Sequence, residues 1–135
     1  MKEKRLTYFL VFFLILFILL NLSCSSAVIK FESGESLNVP ELKGVFKGIK
    51  YQGITNCDSQ LFTDLLNQLL PLFEKHTKEK PLTLNCEFVK GKYFGNIVVW
   101  LEKWTLSGNF KTKSYYINLK HIRGQGTDYQ IMDDK

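Results

Sequence analysis

Two histidines, a pair of glutamates and three cysteines are the residues of this 135-residue chain whose types could do chemistry. His76 follows a leucine-rich stretch among lysines, and His121 closes a run of alternating residues. Neither has a serine–acid pattern or a second ligand at metal spacing, so both read as surface histidines. Glu87 and Glu102 fall on neighbouring predicted strands and can approach each other. An acid–base pair needs a cleft and displaced pKa values, and nothing in the sequence demands a cleft. The glycines of Gly44–Gly53 fit no phosphate-binding template and read as a bent strand. Gly124-Gln125-Gly126 is too short to carry meaning. These residues predict no catalytic centre, no metal site and no cofactor, so the chain reads as a non-enzyme.

The cysteines are Cys24, Cys57 and Cys86. The first stands at the end of a leader. Lys2, Lys4 and Arg5 precede an unbroken apolar run from Tyr8 to Leu20, and small residues follow from Ser23 to Ala27. A charged start, an apolar middle of roughly 7–15 residues and a small-residue exit form a secretory signal peptide. Phenylalanines fall among leucines and isoleucines all round the run. A helix of that kind suits lipid or an export machinery, not one face of a core. A membrane span wants about 20 apolar residues, a length reached only by counting in Leu6, Thr7, Asn21 and Leu22.

Leu22-Ser23-Cys24, with Leu20 upstream and Ser25-Ser26 after, resembles the lipobox of bacterial lipoproteins, in a loose, spirochaete-like form. Asn21 stands where leucine is usual, and the leucine lies one place earlier. The resemblance implies cleavage before Cys24, lipidation of that cysteine with palmitate-like chains, and anchoring to a membrane of the cell envelope. The outer membrane is favoured, with the protein facing the periplasm or the outside. Cleavage by an ordinary signal peptidase near Ser25 or Ala27, and an uncut anchor, stay open. If Cys24 takes lipid, Cys57 and Cys86 remain as a pair. A bridge would close a loop of about 30 residues and add roughly 3–4 kcal/mol in an oxidising compartment. Two free core thiols are the other reading.

Without residues 1–23 the chain keeps 112 residues, enough for one domain. It then has 15 basic and 12 acidic residues, an excess too small for a dedicated nucleic-acid binder. The polar stretch 24–43 reads as a lipid-anchored tether, with Val28–Phe31 able to add an edge strand. Residues 44–122 read as an α+β domain and 123–135 as a flexible tail.

Within the domain, GVFKGIKYQGI alternates as an edge strand. Asn56–Ser59 offers helix caps. Leu61, Leu65, Leu69 and Leu72 then recur at helical spacing, with Pro71 expected to kink or split the helix. After Pro81 the period changes to two. Lys90-Gly91-Lys92 reads as a turn, Tyr93–Leu106 as a central strand, Ser107-Gly108-Asn109 as a hairpin and Phe110–Ile122 as the last strand. The expected fold is one long helix packed on a mostly antiparallel four-stranded sheet, a strand, a helix and a three-strand meander after the signal helix.

If Val99, Leu101 and Ile117 face the helix, then Val98, Trp100, Trp104 and Tyr116 lie on the far side. Trp100, Trp104 and Tyr116 form the candidate contact face, unless the tether or the tail around Tyr129 and Ile131 covers it. The function expected is a non-catalytic envelope lipoprotein. It would be held to the membrane by an N-terminal lipid and bind an envelope protein partner, with no nucleic-acid role. The alternative is a carrier or sensor of an apolar small molecule or acyl chain, in a pocket lined by Phe62, Leu66, Phe88 and Trp100.

Overall fold

The computed structural model of the protein describes residues 2–21 and 26–134. Helix α1 spans Lys2–Asn21, and its apolar side chains from Leu6 to Leu16 are exposed on every side. Among the described residues no helix is long and apolar enough to cross a membrane. Strands β1 (Ser26–Lys30) and β2 (Ser36–Pro40) form an antiparallel hairpin. Its turn is closed by the Phe31 N–H on Glu35 O at 2.9 Å.

A second sheet has six strands in sequential order: β3 (Leu42–Phe46), β4 (Ile49–Gly53), β5 (Thr83–Phe94), β6 (Ile97–Ser107), β7 (Thr112–Ile122) and β8 (Gly126–Asp133). Every pairing is antiparallel except β4 with β5, which is parallel. A parallel pair needs a crossover, and helix α2 (Ser59–Thr77) supplies it.

α2 forms because its leucines and phenylalanines share one face. Phe62, Leu65, Leu66, Leu69 and Phe73 are buried, at about 1.5–3 kcal/mol each. The Asp58 side chain caps the start by accepting from Leu61 N at 2.8 Å. Lys78, at φ 63°, ends the helix in the left-handed region and donates its N–H to Glu74 O. The helix runs through Pro71 without a break. It covers the inner face of the sheet, where the Phe62 ring lies 5.2 Å from that of Trp104.

The expectation of a single long helix on a four-stranded sheet is overturned. The fold is α+β but mostly sheet, with two helices and eight strands in sheets of two and six among the described residues. Four local misreadings account for this. The stretch read as a tether holds the β1–β2 hairpin and the start of β3, and its Ile29, Phe31 and Val39 are in the core. The strand read over 44–53 is a hairpin that turns at Lys47-Gly48, both at positive φ, as a two-residue type I′ loop requires.

Lys90-Gly91-Lys92 lies inside β5, beside a register shift between Phe88 and Lys90. The turn comes later, at Gly95-Asn96. Gly91 is there for packing, since a Cβ would come within 2.6 Å of the Phe31 ring. Finally, the tail read over 123–135 forms β8, paired with β7 from Ile122↔Gly126 to Tyr115↔Asp133.

Candidate functional site

The most unusual chemistry in the domain is a carboxylate in the core. Glu102 of β6 is fully buried between Trp100 and Trp104, which share its face because strand side chains alternate. Asn56 N donates to Oε1 at 2.7 Å and Trp100 Nε1 donates to the same oxygen at 3.0 Å. Thr55 Oγ1 and Trp104 Nε1 donate to Oε2, each at 2.7 Å. Thr55 Oγ1 in turn accepts from Cys57 N at 3.1 Å. Burial pushes the Glu102 carboxyl above its usual range, and the four hydrogen bonds pull it part of the way back.

A carboxylate has about four acceptor positions, and here protein donors take them all. Glu102 has no oxygen left for a substrate. Its role is to fasten the loop 54–58 to the sheet, which sets the cap of α2. The sequence offers a signal for this in Trp100, Glu102 and Trp104, spaced to share one strand face with an acid between two indole N–H groups.

The same loop forms one wall of a groove of about 560 Å³ at the start of α2. Val39, Leu42, Phe46, Tyr51 and Phe62 give it an apolar lining, Cys57 lies on the wall, and Glu41 and Asp58 are among its polar residues. Such a volume is within the range of small-molecule sites, about 300–1,000 Å³.

The residues singled out in the sequence are brought together only in part: Trp100, Glu102 and Trp104 meet in the core, and the others are dispersed. Cys24 lies outside the described residues. Cys57 and Cys86 are free thiols, the first half-buried and the second buried. Desolvation, then the Glu102 charge, pushes both well above the usual thiol range. Reactive cysteines sit in electropositive, partly exposed places; Cys86 is buried, and Cys57, though partly exposed, has the acidic Glu102 and Asp58 as its charged neighbours.

The candidate contact face is split. Trp100 and Trp104 are in the core, while Tyr116 is half-buried on the outer face with Val99 and Leu101. The faces of β6 are the reverse of those expected. Glu87 and Glu102 are also separated, since Glu87 pairs with Lys103 on the outer face and Phe88 opposes Glu102.

His76 Nδ1 lies 3.0 Å from the Tyr115 hydroxyl, whose own pKa is raised by burial and then by Asp133. His121 Nδ1 lies 2.8 Å from Thr127 Oγ1. Among the described residues no group of three or more His, Cys, Asp or Glu side chains is placed to hold a metal ion. Of the expected pocket lining, Phe62 reaches the groove, while Leu66 is fully buried and Trp100 is in the core. Comparison of the chain with protein-family models, with curated proteins and with solved structures gave no match.

Proposed function

We propose that this is a small membrane-anchored lipoprotein of the bacterial cell envelope, non-catalytic, which presents its sheet domain to an envelope partner. One observation carries the reading. A basic start leads into a helix that is apolar all round, and that helix ends just before Leu22-Ser23-Cys24. The exposure of Leu6 to Leu16 agrees with a leader built for lipid or an export channel and not for the domain's core. The first strand begins at Ser26, two residues beyond Cys24. An acylated cysteine would therefore hold the domain within about 7 Å of chain length from the bilayer. Glu102, the buried carboxylate, has its acceptor positions filled, which fits a binding role better than a catalytic one.

The test is metabolic labelling with an alkyne-bearing palmitate analogue in a bacterial host. The wild-type chain should take up the label and the Cys24→Ser variant should not. Equal labelling of the two, or none of the wild type, would sink the proposal.

The groove beside the α2 N-terminus favours a second reading, a carrier of an apolar small molecule or acyl chain. Its apolar lining and volume suit such a ligand. Saturable displacement of a fluorescent fatty acid, lost in a groove-filling Thr63→Trp variant, would support it.

A further inference from the structure

The outer face of the six-stranded sheet holds a second hollow of about 560 Å³, over β3, β4, β5 and β6. Among the described residues its charged lining is Lys43 and Lys50, with no acidic side chain. The register sets these lysines on neighbouring strands, with Val45 opposite Lys50 and Gln52 opposite Lys43. Like charges so placed repel. Two other lysines of this face do meet acids. Lys103 opposes Glu87 and lies 3.8 Å from Asp134, and Lys120 opposes Asp128.

The rest of the lining is neutral and rich in hydrogen-bonding groups: Gln52, Asn85, Thr83, Thr105 and Ser107. The Thr105 hydroxyl is paired with Ser114 and that of Ser107 with Thr112, but a hydroxyl has three hydrogen-bonding positions. Val45, 65% exposed, adds an apolar surface beside the lysines.

We propose that this hollow binds an anionic saccharide. The two ammonium groups take a phosphate or carboxylate, the amides and hydroxyls pair with sugar hydroxyls, and Val45 meets the ring's C–H face. The volume is too large for a bare anion to fill and suits a sugar of one or two rings. A lipid headgroup would bring the same phosphate, but the β1–β2 hairpin that follows α1 packs its Ile29 and Phe31 on the opposite, inner face. The hollow therefore opens away from the layer through which the chain enters. This inference goes beyond the lipoprotein reading and does not depend on lipid at Cys24.

The test uses the full chain in detergent micelles, followed by backbone amide chemical shifts. The probes are trehalose 6-phosphate, digalacturonate, neutral trehalose, inorganic phosphate and phosphatidylglycerol vesicles. An anionic saccharide should shift amides at residues 43–45, 50–52, 83–85 and 105–107 saturably. Neutral trehalose and inorganic phosphate should bind far more weakly. Charge-assisted hydrogen bonds make the Lys43→Gln, Lys50→Gln double variant weaker by more than about tenfold. A Lys75→Gln, Lys78→Gln control at the C-terminal end of α2 should bind as the wild type does. No shifts at these amides with either anionic saccharide would overturn the proposal. So would equal binding of inorganic phosphate, or vesicles that cover this face while the saccharides leave it untouched.

Discussion

Removing the acceptor at position 102 should cost the domain much of its stability. In Glu102→Leu, the buried Trp100 Nε1 and Trp104 Nε1 and the part-buried Asn56 N lose their acceptor, and Thr55 loses its own. A buried donor left unsatisfied costs about 1–3 kcal/mol. Three such fixed donors cost about 3–6 kcal/mol, allowing for the apolar surface that leucine buries in return. That is a large part of the 5–15 kcal/mol typical of a whole domain. Glu102→Gln keeps one carbonyl oxygen and sets an NH₂ against the other pair of donors, so it should fall between, at about 1–3 kcal/mol.

The contrary expectation has its own physics, since replacing a buried ion pair with apolar residues is often neutral or stabilising. Here the partners are a backbone N–H and two indole N–H groups, which remain after the substitution. Urea unfolding followed by tryptophan fluorescence reads both the midpoint and the slope. The midpoints should run wild type, then Gln, then Leu, with the slope unchanged. A leucine variant as stable as the wild type, or more stable than the glutamine variant, would refute the role assigned to Glu102.

Stability should also depend on pH through this group. Its carboxyl is raised in the folded state, so the native domain keeps the proton to higher pH than the unfolded chain does. Its contribution is full below the unfolded value, near pH 4.3, and is lost as pH rises through the folded value. Glu102→Gln should flatten that slope in urea titrations, and an unchanged slope would contradict it. Cys57 and Cys86 should resist alkylation at pH 8 in the native state and react once urea unfolds the chain; labelling with iodoacetamide decides this. Gly53→Ala should destabilise the domain by about 2 kcal/mol or more. Gly53 has φ 120°, and a Cβ there would run into the backbone of Cys86, where β4 and β5 pair. Ending the chain after Arg123 removes β8 and strips Tyr129 and Ile131 from the core edge. The truncated domain should melt lower and bind a hydrophobic dye.

Some of this fold was legible in the sequence and some was not, for reasons particular to each stretch. The helix stood out because Leu61, Leu65, Leu69 and Leu72 recur at its period, and the Ser107–Asn109 turn because it parts two alternating runs. The β1–β2 hairpin did not, because its strands are five residues each and its turn, Ser33-Gly34-Glu35, looks like linker. Strand β8 hid in the same way, since only Tyr129 and Ile131 mark its inner face among polar neighbours. β6 is apolar on both faces, so its pattern does not say which face meets the helix, and the tryptophans share theirs with the acidic Glu102. Local spacing does not show that Thr55 and Asn56, 46–47 residues earlier, return to satisfy the carboxylate. The grooves were out of reach too, because each is shaped by strands far apart in the chain.

The lipoprotein reading is tested most directly by the intact mass of the native protein extracted from membranes. The expected chain begins at Cys24 and carries the added mass of a diacylglycerol with or without a further acyl chain. A mass that includes residues 1–23, or a shortened chain without acyl mass, would contradict it.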